Sequence, residues 1–482
     1  MQFVSWGFLS FLIVTIAVYY IIPKKVRYIW LLAASLCFYY LVSGKLLIFL
    51  LLVTVISYAA GMLMQKSKKP VLISGIVADV LLLGYFKYAG FILDIVNDIR
   101  GVADADRTAL GIIVPVGISF YIFQSIGYMV DCYREKLTPE KNYLKLALFV
   151  SFFATVTSGP IERAGNMLPQ YSDPKDFSYD RMRDGLLMML WGFFQKIVIA
   201  DRLAVMVNTV YSSYEGYKGT VLFLAAIFYT MEIYCDFAGY SNIAIGAARI
   251  MGIDIMQNFK QPYLAGSVAD FWRKWHISLS SWLKDYIYIP LGGNRKGYVR
   301  KLINICIVFA ISGLWHGAAW TFVVWGLLHG IYQVLGIVLK PVRDALVKTC
   351  RIDRESFSHK LVKIVITFML VNIGWIFFRA PDFTCALYFI KNMWSLTPAV
   401  LFDGSLFNLG LVAADVRLLL LSIIVLIVVD IFNEKGIIVR DVITKQSLWL
   451  RWVIYIAAVV FIVTCGVWGP GYDAASFIYQ NF

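Results

Sequence analysis

Residues 302–339 read LINICIVFAISGLWHGAAWTFVVWGLLHGIYQVLGIVL, and this run contains no Asp, Glu, Lys or Arg. A bilayer core of roughly 30 Å takes about 20 apolar residues as a helix. This run is therefore long enough for two passes, or for one pass and a re-entrant segment. Because only helices and closed barrels span lipid, and the run is continuous rather than alternating, it predicts helices.

The rest of the chain has the same character. Of its 482 residues, 60% are hydrophobic and 15% are charged, whereas soluble globular proteins carry about 25% charged residues. Further runs without Asp, Glu, Lys or Arg cover 1–22, 46–64 and 452–472. We predict an all-α polytopic membrane protein with about eleven to thirteen membrane-embedded segments, re-entrant pieces included. The polar stretch 341–360 is predicted to be a loop.

The net charge of +14 has a membrane explanation. The basic residues lie in short loops beside apolar runs, such as 24–27 and 295–301, which is the pattern of cytoplasmic loops. We therefore expect the lipid bilayer as a partner and no nucleic acid. The seven cysteines are scattered singly without a CxxC pair, so we expect neither a metal site nor a disulfide framework.

His316 is the first candidate for chemistry. It lies between Gly313 and Gly317 in a run without charge, where glycines permit a helix break that lipid tolerates only beside a cavity or inside protein. A neutral imidazole there can accept a proton from a hydroxyl group. The alternative is a buried histidine that donates one hydrogen bond. For His329, thirteen residues later, we favour a packing role over a supporting role beside His316.

A second candidate region, residues 255–300, mixes aromatic and charged side chains and is too polar for a simple span. We predict a re-entrant or interfacial segment, since Trp272 and Trp275 suit the headgroup level. His276 lies among them. One interpretation is a second tunnel residue that positions the acyl donor or acceptor, and the other is an interfacial amphipathic helix without chemistry.

Two acidic residues, Glu232 and Asp236, lie one helical turn apart in apolar sequence. Such a pair needs a basic partner or a raised pKa, and Arg249 is a candidate partner. We favour a structural ion network over catalysis here. The sequence contains no GxSxG, P-loop or HExxH pattern. What remains available is one base, a hydroxyl acceptor and an activated acyl donor.

Two motifs carry a resemblance to a known family. FWRKWHISLS (271–280) followed by WLKDYIYIPLGGNR (282–295), and GLWHGAAWTF (313–322), resemble the membrane-bound O-acyltransferase (MBOAT) family and its alginate O-acetylation (AlgI-type) branch. The likeness extends to about residue 380, although Ala238 and Asn242 stand where the branch pattern has Ser and Asp.

The resemblance implies a ring of about eleven transmembrane helices and re-entrant segments around a central funnel and tunnel. It implies one membrane-embedded domain over 1–482, with a motif-bearing core at about 110–380 and C-terminal spans at about 384–468. His316 matches the family's catalytic histidine and His276 its second functional histidine. The supporting or tunnel residues on this basis are Trp315, Trp272, Trp275, Asp236, Asn294, Arg295 and His329.

The resemblance also implies the reaction. We expect transfer of an acetyl group from a cytoplasmic acyl thioester such as acetyl-CoA, with no bound cofactor and no metal. The oxyanion that forms needs a donor, either His276 or a Trp indole N–H. An extracytoplasmic SGNH-type acetyltransferase is the expected partner, an extracellular polysaccharide the acceptor, and the bacterial cytoplasmic membrane the location.

Other functions remain open at this point. Within acyl transfer, the alternatives are D-alanyl transfer to teichoic acid and O-acetylation of peptidoglycan, and the run YIYIPLGG (286–293) favours the AlgI-type branch over D-alanyl transfer. The alternatives from other functional classes are a membrane transporter and a scaffold for a polysaccharide synthase. A transporter built on inverted repeats is disfavoured because the sequence has no internal repeat.

Overall fold

The computed structural model describes residues 1–64, 67–102 and 110–467, and every regular element in these ranges is a helix. The prediction of an all-α protein is confirmed. The first eleven helices are α1 (Trp6–Ile21), α2 (Arg27–Ser43), α3 (Leu47–Leu63), α4 (Lys68–Leu83), α5 (Ala89–Arg100), α6 (Ile118–Tyr133), α7 (Tyr143–Ser151), α8 (Ala164–Ser172), α9 (Tyr179–Phe193), α10 (Asp201–Ser212) and α11 (Thr220–Ile250).

The remaining ten helices follow in the second half of the chain. They are α12 (Val268–Lys274), α13 (Ile277–Leu283), α14 (Tyr298–His316), α15 (Trp320–Val338), α16 (Lys340–Thr349), α17 (Phe357–Arg379), α18 (Phe383–Asn392), α19 (Ala413–Glu434), α20 (Val439–Thr444) and α21 (Leu448–Cys465). Within the part of the chain that the structure describes, three π-helical turns interrupt this pattern, at Gly84–Tyr88, Phe194–Ala200 and Lys284–Tyr288.

Seven helical stretches within the described ranges are long and apolar enough to cross a membrane. They are Lys24–Leu63, Lys68–Arg100, Thr220–Ile250, Tyr298–His316, Trp320–Val338, Phe357–Arg379 and Leu448–Cys465. Helix α1 is a shorter apolar helix. The chain therefore has the character of a polytopic membrane protein, and the count of about eleven spans stays a prediction. The predicted C-terminal spans reach residue 468, which lies outside the described residues.

The polar stretch at 341–360 differs from its prediction. Its first half is helical, because α16 covers Lys340–Thr349, so the prediction of a loop is wrong there. Pro341 lies in the first helical turn, where the missing N–H costs nothing. Val342 and Leu346, four residues apart, share one face of the helix.

The chain divides into two compact units. The first contains Met1–Met189 and Tyr240–Met256, and the second contains Leu190–Gly239 and the chain from Gln257 onward. In the first unit, Arg249 pairs with Asp184, and its Nε lies 3.7 Å from Asp254 Oδ1. The expectation that Arg249 is the partner of the two acidic residues on α11 is therefore wrong. The prediction of a single domain stays a prediction.

In the second unit, α14 and α15 form a tightly packed helical hairpin. A Cβ atom added to Gly313 would lie 2.3 Å from the carbonyl oxygen of Phe322, and one on Gly326 would lie 2.2 Å from that of Phe309. Only glycine permits this approach of the two backbones. Helix α14 ends at His316, and Gly317 is extended with φ −164°. The predicted helix break is confirmed.

Candidate active site

His316 is the last residue of α14, and its side chain is 1% exposed. Aromatic rings surround it: the ring centroids of Trp315 and Trp325 lie 4.9 Å away, and that of Phe378 lies 5.3 Å away. The break at Gly317 ends the helix at this point, so the imidazole faces packed aromatic side chains of its own unit. A water-accessible tunnel beside it stays a prediction.

His276 lies between the two short helices α12 and α13 and is fully buried. Its backbone is left-handed, with φ 43°, a conformation that costs free energy for a residue with a side chain. Its Nδ1 lies 3.1 Å from Asn258 Oδ1. Burial lowers the pKa of His276, which lies outside the seven candidate spans, to about 3. The imidazole is therefore neutral at physiological pH.

The fold brings the two histidines together although they lie forty residues apart in the sequence. Their ring centroids are 6.4 Å apart, with the ring planes at 61°. Trp315 contacts both, since its ring lies 5.9 Å from His276 and 4.9 Å from His316. The two imidazoles and the Trp315 indole therefore lie together in one buried aromatic cluster.

Three other predicted residues lie in the aromatic layers around this pair. Trp272 donates a hydrogen bond from Nε1 to Nδ1 of His329, at 3.2 Å, and its ring lies 5.7 Å from Trp325. Trp275 packs on Trp375, with ring centroids 4.9 Å apart. These three residues thus support the pocket wall, and His329 has the packing contacts that the sequence favoured.

Asp236 belongs to a buried ion cluster. Lys196 Nζ lies 2.6 Å from Asp236 Oδ1 and 2.8 Å from Asp201 Oδ1, and each of these side chains is at most 2% exposed. The next residue on α11, Phe237, packs edge-on against the His276 ring at 4.7 Å. The favoured structural ion network is therefore present, and it lies one residue from a ring that contacts His276.

Asn294 and Arg295 lie apart from the aromatic pocket. Both are exposed in the turn after Pro290. Asn294 accepts a hydrogen bond from the hydroxyl of Tyr288, six residues earlier in its own turn. The contacts of Asn294 therefore connect it to this turn, while the contacts of the two histidines are with the aromatic side chains described above.

Sequence reasoning missed Lys196 and Asn258. The signal for Lys196 is a lysine inside the apolar run FQKIVIA (194–200), where a charge points to a buried partner. That run is also one of the π-helical turns, which occur often at functional sites. No pattern in the sequence pointed to Asn258, because its relation to His276 exists only once the chain has folded.

The described residues contain no group of three or more His, Cys, Asp or Glu side chains that could hold a metal ion. The chemistry that the pocket offers is that of two buried imidazoles and the N–H groups of indole rings. A profile of the MBOAT, membrane-bound O-acyltransferase, family matches residues 134–378, a span that includes both histidines. The chain belongs to the membrane-bound O-acyltransferase family.

Individual relatives agree with this MBOAT assignment. A probable alginate O-acetylase, AlgI, of Pseudomonas syringae pv. tomato is 36% identical over 387 residues, which cover 77% of this chain and 71% of that protein. The peptidoglycan O-acetyltransferase of Helicobacter pylori is 35% identical over 429 residues, covering 81% and 77%. The teichoic acid D-alanyltransferase of Bacillus subtilis is 28% identical over 291 residues, covering 56% and 69%. This MBOAT is a membrane O-acyltransferase.

Proposed function

We propose that this MBOAT moves acetyl groups from a cytoplasmic acyl thioester, with acetyl-CoA as the simplest donor, across the bacterial cytoplasmic membrane for O-acetylation of an extracellular polysaccharide. An extracytoplasmic SGNH-type acetyltransferase then passes the acetyl group to the glycan. The observation that carries the proposal is the pairing of His276 and His316 in one buried aromatic pocket. The relatives named as acetyl transferases are more similar to this chain than the D-alanyltransferase.

In this proposal His316 is the general base. It accepts the proton of the acceptor hydroxyl while the hydroxyl oxygen attacks the thioester carbonyl carbon. The tetrahedral intermediate then collapses, the carbon–sulfur bond breaks, and the leaving thiolate takes the proton from the imidazolium of His316. The products are an acetyl ester and a free thiol, so the base is regenerated without a cofactor.

The aromatic pocket supports this chemistry in a second way. Rings of Trp315, Trp325 and Phe378 contact the His316 imidazole from several sides and leave its side chain 1% exposed. A dry environment protects a thioester from hydrolysis and strengthens the electrostatic interactions with the developing oxyanion. The acceptor hydroxyl, rather than water, is then the nucleophile that the base meets.

The experiment is acetyl transfer by the purified protein in liposomes with labelled acetyl-CoA and its partner acetyltransferase. Because general-base catalysis contributes about 10²–10⁴-fold, the H316A variant should lower the rate at least 10²-fold while it remains folded. The matched control is H359A, a histidine at the start of α17 that lies outside the pocket. Wild-type rates with H316A, or transport of substrate without any acyl transfer, would overturn the proposal.

O-acetylation of peptidoglycan is a second candidate for the same site. The observation in its favour is the Helicobacter pylori relative, which matches 81% of this chain at 35% identity. The two candidates differ in the acceptor and not in the base. Comparison of acetyl ester content in the exopolysaccharide and in the peptidoglycan of a strain that carries H316A distinguishes them, since only the true acceptor loses its ester.

A further inference from the structure

The side chain of Asn258 meets His276 in the buried interior of the second unit. Asn258 Oδ1 lies 3.1 Å from His276 Nδ1, and it also accepts hydrogen bonds from the backbone N–H of Ser278 at 3.3 Å and from the Ser278 hydroxyl at 2.9 Å. Neither Asn258 nor His276 has measurable exposure. One amide oxygen therefore gathers three contacts around the His276 ring.

These contacts decide which atom of the amide faces the histidine. A backbone N–H can only donate, so the Asn258 atom that faces the Ser278 N–H must be the oxygen and not the nitrogen. An amide oxygen can only accept. The Ser278 hydroxyl also lies 3.4 Å from Nδ1 of His276, but it gives its one hydrogen to the amide oxygen at 2.9 Å. The ring nitrogen 3.1 Å from that oxygen, Nδ1 of His276, is therefore the atom that carries the hydrogen, and in a neutral imidazole the lone pair is then on Nε2.

The backbone holds this arrangement in register. The N–H of Ile277 donates to the carbonyl oxygen of Asn258 at 2.9 Å, so Asn258 is tied to the residues that follow His276 by main chain and side chain together. The left-handed backbone of His276, with φ 43°, turns its ring out of the helical path between α12 and α13. Strain of this kind persists only where surrounding contacts enforce it.

The ring plane is fixed as well. Phe237 packs perpendicular to the His276 ring at 4.7 Å, and the rings of Trp315 and His316 lie 5.9 Å and 6.4 Å away. Since Nδ1 and Nε2 lie at different corners of the ring, fixing Nδ1 on Asn258 also fixes where the Nε2 lone pair points.

We propose that Asn258 is a positioning residue that holds His276 as the Nδ1–H tautomer, so that His276 takes part in acyl transfer as a hydrogen-bond acceptor at Nε2. His276 then accepts a hydrogen bond from a donor group of the substrates other than the reacting hydroxyl, whose single proton goes to His316. It is not the donor that stabilises the oxyanion, which leaves that task to an indole N–H. This role rests on the proposed function, but the tautomer itself does not.

The tautomer is measured first, without any assay of activity. Because the chain has four histidines, selective ¹⁵N-histidine labelling gives a tractable NMR spectrum of the full-length protein in detergent, and the H276Q variant assigns the His276 signals. We expect the hydrogen on Nδ1 in the wild type. A hydrogen on Nε2 of His276 would overturn the proposal, whether or not the protein transfers acetyl groups.

Two variants then test the role of Asn258. N258D keeps an accepting oxygen at the same position, so it should retain the Nδ1–H signal and most of the transfer rate. N258L has a similar volume and no acceptor, so the tautomer preference should disappear and kcat should fall about 10²-fold, with a smaller change in KM. An N258L variant that retains both the signal and the rate would overturn the role.

The matched control is Asn372, another fully buried asparagine of the same unit. Its amide donates to the carbonyl oxygen of Ala226 at 2.8 Å and to the Thr230 hydroxyl at 2.6 Å. N372L removes a buried amide of the same size without touching His276, so its His276 signal should match the wild type. If N372L shifts that signal as N258L does, the effect belongs to general destabilisation and the proposal fails. If the wild-type protein shows no acetyl transfer, that result refutes the proposed function but not the tautomer of His276, which is measured separately.

Discussion

Trp272 Nε1 donates a hydrogen bond to Nδ1 of His329 at 3.2 Å, and the two rings stand nearly perpendicular at 88°. The indole N–H can only donate, so His329 accepts at Nδ1 and carries its hydrogen on Nε2. That corner of the ring is closely packed, because a Cβ atom added to Gly374 would lie 2.7 Å from it. His329 is thus held by packing in the wall of the pocket, whereas His316 and His276 face each other.

This hydrogen bond predicts that the W272F substitution lowers the stability of the protein. The W272F variant removes the donor and leaves a buried acceptor on His329 without its partner, which costs about 1–3 kcal/mol in the free energy of unfolding. Denaturant unfolding in detergent measures the loss. The double variant W272F/H329F replaces both polar groups, so the second substitution should cost less in the W272F background than alone. Equal costs in both backgrounds would contradict the interaction.

The buried cation Lys196 predicts a larger effect. In K196M, the carboxylates of Asp201 and Asp236 lose the cation that lies within 2.8 Å of both. Removing one partner of a buried ion pair costs about 3–5 kcal/mol, and the near-zero exposure of these side chains excludes screening by solvent. We expect a sharp fall in the yield of folded protein and in its apparent melting temperature.

The control for Lys196 is a double-mutant cycle. D236N alone removes one negative charge and leaves the cation, while D236N in the K196M background removes a carboxylate that has lost its cation. The second change should therefore cost less than the first, or even restore stability. Additive losses would show that Lys196 and Asp236 act independently, contrary to their 2.6 Å separation.

The packing of α14 against α15 predicts an effect on activity at Gly326. A methyl group there would lie 2.2 Å from the carbonyl oxygen of Phe309, so G326A must push the helix of Trp325 away from the helix of His316. Overpacking costs about 1–3 kcal/mol, and a displacement near 1 Å can lower a rate about 10²-fold. G336A is the control on the same helix, because nothing lies within 4 Å of its Cβ. Equal transfer rates for both variants would contradict the argument.

Much of the fold was predictable because charge-free runs define helices in a membrane. The runs 1–22 and 46–64, which contain no Asp, Glu, Lys or Arg, hold α1 (Trp6–Ile21) and α3 (Leu47–Leu63). The prediction failed where that signal is absent. Helix α16 is polar, and its short apolar face was not visible beside so many charged residues.

The site was predictable only in part. The glycines around His316 indicated a break in a buried helix, and the motif around His276 indicated a second histidine, but spacing alone did not pair them. Their 6.4 Å separation depends on the packing of α12 against α15, the helix that forms a hairpin with α14. Asn258 contacts His276 and Lys196 contacts Asp236 from segments without a family motif. The sequence therefore does not show which residues they contact, even where a lysine in an apolar run indicates that a partner exists.

The indole of Trp325 is the donor that this geometry favours for the oxyanion. Its side chain is fully buried, and its ring stands perpendicular to that of His316 at 4.9 Å. Within residues 1–64, 67–102 and 110–467, the Nε1 atoms of Trp325 and Trp375 both have no hydrogen-bond acceptor, and the Trp325 ring is the one that packs on His316. A buried donor without an acceptor is rare and costly in a folded protein, and an oxyanion that forms beside His316 would satisfy it.

We therefore expect W325F to lower kcat for acetyl transfer, because it removes the N–H and keeps an aromatic ring at the same place. Loss of one oxyanion donor costs about 10²–10³-fold in kcat. The matched control is W375F, since Trp375 is also fully buried, stacks on Trp325 at 5.6 Å and leaves a cavity of the same kind. Steady-state kinetics of both variants in liposomes measure the difference. If W375F lowers kcat as much as W325F does, the loss comes from packing, and the indole N–H of Trp325 is not the oxyanion donor.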